Sequence, residues 1–202
     1  MFYIVGNNAG LDLVNTRVVQ EGKPVDLIRT FEGLIHWSTA TGLIDERRAR
    51  QIIRKWNDTA DAERVIARAH RLRDSLASVT EALLESQRPP SSALEDINSL
   101  LRRKSGWFEL RAAETGYSKI FYADLDDIDG ILVPVAESIA DLLCYGDLSQ
   151  VKRCEGEQCV LVFYDTSKNH RRRWCSMAAC GNRAKASAFY RRSKADREVK
   201  TG

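Results

Sequence analysis

The sequence predicts a mainly α protein in two parts. A helical N-terminal domain with one β-hairpin is expected over residues 1–149, and a small four-cysteine module, a hairpin plus a helix, over residues 150–202. Three observations predict this. Apolar residues recur at three- and four-residue intervals through most of the first 150 positions. One stretch, residues 107–122, changes period around Glu114-Thr115-Gly116. Four of the five cysteines lie in the last quarter of the chain.

Each element has its own reason. Leu11, Val14 and Val18 fall at helical spacing after Gly10. Pro24 and Asp26 open a second helical segment with Leu27, Phe31, Leu34, Ile35 and Ser38 on one face, closed by Gly42. Asp45 is placed to cap a short helix carrying Ile52, Ile53 and Trp56. The clearest helix runs over residues 61–87, with Val65, Ile66, Ala69, Leu72, Leu76, Val79, Leu83 and Leu84 in a stripe. Pro89-Pro90 stops it, and Ser91 or Ser92 starts the next, through Leu94, Ile97, Leu100 and Leu101. Residues 107–112 and 117–122 read as paired strands, and residues 124–129 as an Asp-rich turn. A buried helix over Val133–Tyr145 tolerates Pro134 in its first turn.

With 202 residues, 44% hydrophobic and 29% charged, the chain has material for a real core. No run of eighteen uncharged apolar residues exists, so no membrane span is expected. The N-terminus lacks a basic, apolar leader, and a cytoplasmic location is expected. In a reducing compartment cysteines are metal ligands more often than disulfides. The net charge of +3 hides an asymmetry. Residues 151–202 carry thirteen Lys and Arg against five Asp and Glu, a charge of +8. Residues 1–150 carry eighteen against twenty-three, a charge of −5.

The cysteines are spaced Cys154-x4-Cys159-x15-Cys175-x4-Cys180. Two pairs separated by a short span is the plan of a structural zinc site, in which four thiolates fill a tetrahedral shell. About fifty residues bury little core, so a metal has a structural task there. Two disulfides, a redox thiol and an iron–sulfur cluster are the competing readings. The first needs an oxidising compartment, and the second lacks a Cys-x-x-Cys. His170 is a further candidate ligand that a filled shell leaves out. The apolar residues 160–164 place the first pair on a hairpin or knuckle. Ser176 is expected to cap a helix to about Arg192, with Cys175 just before it and Cys180 in its first turn. Trp174 reads as cover over the metal, Phe189 and Tyr190 as packing residues, and Cys144 as a small buried hydrophobe.

Lys168, Arg171, Arg172 and Arg173 precede the second pair; Arg183, Lys185, Arg191, Arg192 and Lys194 follow it. At about 100° per residue, Asn182, Lys185, Phe189 and Arg192 lie on the face opposite the metal. Lys168, Arg171, Arg172, Arg173, Asn182, Arg183, Lys185 and Arg192 are therefore the candidate nucleic-acid contacts. A merely solvated cationic face is the bland alternative.

The stretch from Arg173 through Cys175, Cys180-Gly181-Asn182-Arg183 and Lys185 resembles the CGNR zinc finger family, as do Cys154-x4-Cys159, Phe163 and Asp165 upstream. Leu11-Asp12-Leu13-Val14-Asn15-Thr16, with Trp37 and Gly42-Leu43, resembles the ABATE domain that accompanies that finger. The resemblance implies a bacterial, mainly helical protein with a zinc-binding C-terminus, described as a regulator of transcription linked to stress. A small-molecule effector site around Asn15, Thr16 and Arg17 and a homodimer are further expectations. His36 and His70 show no acid or base partner, and no phosphate loop or nucleophile elbow appears, so no enzyme is expected. DNA is the expected partner. A zinc-stabilised protein-interaction module, or an RNA binder, is the alternative.

Overall fold

The computed structural model of the chain describes residues 1–123 and 127–200, with the side chains at 121, 123, 192 and 194–200 outside the described set. The turn expected over residues 124–129 therefore falls partly outside it. The first helix, α1 (Ala9–Val14), is capped by Asn8, whose side chain accepts from Gly10 N (2.9 Å) and Leu11 N (3.2 Å). It does not continue to Val18. After Asn15 the chain enters a hairpin of β1 (Arg17–Gln20) and β2 (Lys23–Asp26), paired Val18 to Val25 and Val19 to Pro24. Glu21 and Gly22, at φ 51° and 75°, make the turn. Two left-handed residues match the twist of paired strands, so a tight hairpin replaces the helical continuation. Pro24 and Asp26 thus belong to a strand, and the next helix, α2 (Phe31–Ala40), starts at Phe31 under the cap of Thr30.

The rest of the helical part follows the apolar period. Gly42 leaves α2 at φ 76°. Asp45 caps α3 (Glu46–Trp56) through Arg48 N at 2.7 Å. The long α4 (Ala60–Leu84), capped by Thr59, carries the buried Val65, Ala69, Leu72, Leu76 and Val79. It packs against α1, α2 and α5 (Ser91–Leu101). The hairpin β3 (Gly106–Ala112) and β4 (Tyr117–Ala123) leads through a 3-10 turn into α6 (Val133–Tyr145), which lies on α1 and α5. Leu11, Leu13, Ile28, Leu34, Trp37, Ile97, Leu100, Val135 and Ile139 close one core around α4. Each such side chain contributes about 1.5–3 kcal/mol on burial. Among the described residues no helix is long and apolar enough to cross a membrane. Cys144, expected inside, is exposed near the end of α6.

A third hairpin, β5 (Val151–Arg153) with β6 (Val162–Tyr164), starts the cysteine module. Alternation along β6 makes it a shared wall. Val162 points with Val151 into the main core, while Phe163 joins Leu161 in a second cluster with Cys154, Cys175 and Cys180. Val18 is buried in that second cluster, and Val5, Val25 and Leu27 pack against it.

Candidate metal centre

Cys154 and Cys159 stand at the tip of the β5–β6 hairpin. Cys154 N donates to Leu161 O and Cys159 N to Gly156 O, both at 2.9 Å, so the chain folds into a tight knuckle. Gly156 fits closely there. A Cβ on it would meet Cys159 Cβ at 3.0 Å and Cys180 Sγ at 3.2 Å. Its N–H points at Cys154 Sγ (3.4 Å), as does that of Cys175 (3.2 Å).

The second pair is carried by a wide turn. Ser176 N-caps it by backbone conformation, but contrary to expectation its side chain makes no capping bond. Met177–Gly181 form a single π turn closed by Gly181 N to Ser176 O at 3.0 Å, and α7 (Asn182–Lys200) continues from it. The extra residue in this turn explains the x4 spacing, since it brings Cys180 Sγ to 3.5 Å from Cys175 Sγ. Gly181 lets the turn close on its neighbours; a Cβ there would meet Met177 Sδ at 2.5 Å and Trp174 Cδ1 at 3.1 Å.

The four sulfurs all lie within 4.8 Å of one another, with Cys159 and Cys175 at 3.7 Å. Ligands about 2.3 Å from a central ion in a tetrahedron sit roughly 3.8 Å apart, and a disulfide needs about 2.05 Å. All four cysteines are unbridged, and their spacing fits a tetrathiolate metal centre. Burial pushes the Cys159 thiol up to about 12, with the Cys154 charge beside it, and raises Cys175 further. At Cys154 burial acts the same way, but the N–H groups of Cys175 and Gly156 outweigh it and hold its thiol below the ordinary value. Thiols must give up their protons to ligate a metal, so a cation bound among these four would release protons and would be held less tightly as pH falls. His170 stands outside the cluster, its Nδ1 at 3.1 Å from Asp165 O.

Residues 7–146 match the family described as "Putative stress-induced transcription regulator" (ABATE), more than two thirds of the chain. The chain belongs to the ABATE family. Residues 150–193 match the CGNR zinc finger, and no curated protein matches.

In this ABATE chain the expected nucleic-acid residues have different surroundings. Lys168, Arg171, Asn182, Arg183 and Lys185 are exposed. Arg173 is exposed but pairs with Glu155 and lies over Trp174. Arg172 turns inward. Its guanidinium donates to the carbonyls of Val5 (2.9 Å), Trp174 (3.0 Å) and Cys175, over the Phe163 ring. That geometry removes it from the candidate contact surface. Arg192 lies outside the described side chains. Phe189 and Tyr190, expected to pack, are 62% and 74% exposed on α7. Trp174 is half-buried against the cysteines.

At Asn15, Thr16 and Arg17 the polar side chains are taken up by contacts within the fold. Asn15 Nδ2 donates to Val162 O and Asn15 Oδ1 accepts from Val162 N, both at 2.9 Å. Its amide imitates a neighbouring strand and joins α1 to β6. Thr16 Oγ1 accepts from the buried Arg73 at 2.8 Å, and Arg73 also grips Asp26 with both guanidinium nitrogens. Arg17 pairs with Asp74 on the surface. Two histidines also have acidic neighbours: His70 is 4.0 Å from Asp26 and His36 3.9 Å from Glu32.

Asp165 organises the loop beside the centre, and Arg73 ties α4 to the β1–β2 hairpin; the sequence alone assigns neither role. Asp165, fully buried, accepts from Lys152 Nζ (2.7 Å), Ser167 N (2.9 Å), Ser167 Oγ (2.6 Å) and Arg172 N (2.9 Å). Burial raises its pKa, but these donors hold the carboxyl well below the usual range. Arg73 was signalled by a charge set between Leu72 and Leu76 on the apolar stripe of α4.

Proposed function

We propose that the protein is a transcription regulator whose zinc-bearing module binds duplex DNA, with α7 as the contact helix. One observation carries this reading. A basic helix stands on the cysteine cluster with Asn182, Arg183, Lys185 and Arg191 exposed, and among the described residues these three cations have no carboxylate partner. Lys168 and Arg171 are exposed on the preceding loop and add positive charge to the module. Four thiolates and a divalent ion reduce the segment from +8 to about +6, which still attracts phosphates.

Cys154, Cys159, Cys175 and Cys180 would hold the zinc. The ion supplies the cross-link that fixes the knuckle against the π turn. A closed tetrathiolate shell has no position for a substrate or water, which favours a structural part over a catalytic one. Asn182 and Lys185, one turn apart on an exposed face, suit base edges; Lys168, Arg171 and Arg183 suit phosphates.

The test is fluorescence anisotropy with duplex DNA at two salt concentrations, on protein containing about one zinc per chain. Affinity is expected to fall steeply as salt rises. Arg183→Ala with Lys185→Ala should weaken binding about tenfold or more at unchanged zinc content. No binding at low salt, or binding that ignores salt, would exclude the DNA reading.

A further inference from the structure

The main core does not account for the β3–β4 hairpin. Trp107, Phe108, Leu110 and Tyr117 are 53%, 50%, 71% and 76% exposed. A two-stranded hairpin is marginal in water, and clustered exposed apolar residues mark a contact surface. Strand alternation puts Phe108, Leu110 and Ala112 on one face and Trp107, Glu109 and Arg111 on the other. The hydrogen bonds fix the edge. Ala113 N donates to Gly116 O at 3.0 Å. By the antiparallel alternation Trp107, Glu109 and Arg111 therefore bond across to β4. The backbone groups of Phe108, Leu110 and Ala112 point the other way, along an edge that pairs with no other strand among the described residues.

We propose that this edge of β3 is the dimerisation surface of the protein, pairing antiparallel with β3 of a second copy about a two-fold axis at Leu110. The strand's own sequence carries the argument. An axis at Leu110 sets that residue against Leu110 of the second copy, with reciprocal N–H to C=O bonds, and sets Phe108 against Ala112. Glu109 then faces Arg111 of the second copy and Arg111 faces its Glu109, giving two cross-strand ion pairs. Within one chain the same two side chains already lie 3.1 Å apart, so their charges are oriented on one face. The edge of β4 offers no such match, because Lys119 has no carboxylate on its strand to oppose it. Nucleic acid is disfavoured as the occupant: Glu109, Arg111, Glu114 and Lys119 sum to zero across the hairpin. Pairing joins two hairpins into a four-stranded sheet whose apolar faces are continuous, which meets the size that independent sheet stability needs. This inference does not depend on the DNA reading.

The experiment is sedimentation of the full metal-loaded chain over a range of concentrations. A concentration-dependent dimer is expected. Leu110→Pro removes an outward N–H and leaves the hairpin's own bonds intact, so it should abolish the dimer. Glu109→Arg and Arg111→Glu should each weaken self-association about tenfold or more, through two like-charge contacts per dimer. An equimolar mixture of these two variants should restore it, because each heterodimer regains two opposite-charge pairs. The mixture also controls for folding, since misfolded chains would not recover. A chain that stays monomeric at every concentration, a dimer indifferent to the substitutions, or a mixture that fails to re-associate would each overturn the proposal.

Discussion

The guanidinium of Arg172 is shared among the carbonyls of Val5, Trp174 and Cys175, next to a metal ligand. Arg172→Ala strands these acceptors and removes the cover over Phe163, which should cost about 2–4 kcal/mol. It should also loosen the metal, measured by thermal unfolding and by competition with a chelator. Arg171→Ala should stay within about 0.5 kcal/mol of wild type and act only on nucleic-acid affinity. The two look alike in the sequence, because a run of arginines says nothing about which one finds buried carbonyls. The four cysteines were legible, since thiolate chemistry is local to the residues and their spacing. Asp26 gives the pH prediction at this scale. Burial raises its pKa, but the bonds from Arg73 and Ile28 N outweigh it and lower the carboxyl below 3.8. A depressed carboxyl stabilises the fold fully above its unfolded value and loses that contribution as pH falls through its folded one. The difference in urea midpoint between wild type and Asp26→Asn should therefore shrink as pH drops below about 4.

At the scale of elements, the helices α3 to α6 were visible because their apolar faces repeat without interruption and proline, glycine or a capping side chain marks their ends. The β1–β2 hairpin was hidden. Val14 and Val18 lie four apart, a helical interval, although one ends a helix and the other begins a strand. The turn that decides the matter is Glu-Gly, a weaker signal than Asn-Gly. Glu21 holds φ 51° with a full side chain, and Gly22 holds 75° with nothing within 4 Å of a Cβ placed on it. Strain from backbone angle alone is thus the expected effect of Gly22→Val, about 1–2 kcal/mol of destabilisation. Glu21→Asn should raise stability by a few tenths of a kcal/mol to about 1. Thermal melting of the two variants side by side checks both signs. The π turn at Met177–Gly181 was equally hidden, because a period argument assumes 3.6 residues per turn and the ligand geometry imposes a wider one.

Across the whole molecule, β6 decides how the metal centre and the helical body respond to each other. Val162 is buried in the main core, Leu161 and Phe163 in the cysteine cluster, and Asn15 binds both polar backbone groups of Val162. A metal held there would therefore tighten a strand that the helical core also uses, and Val18 of the β1–β2 hairpin packs on the same cluster. Linkage follows: ligand that binds only the folded chain stabilises everything that unfolds with its site. Chelation should lower the melting temperature of the helical signal as well as dissolve the finger. Amide hydrogen exchange should then speed up in β1, β2 and β6 as well as in the knuckle. Asn15→Ala leaves the N–H and C=O of Val162 unpaired in a dry interface, a cost of about 2–4 kcal/mol. In that variant the coupling should weaken, so that chelation moves the helical transition less than in wild type. Two separate transitions in the wild-type chain, with the helical one indifferent to chelator, would mean that β6 does not join the two clusters into one cooperative unit.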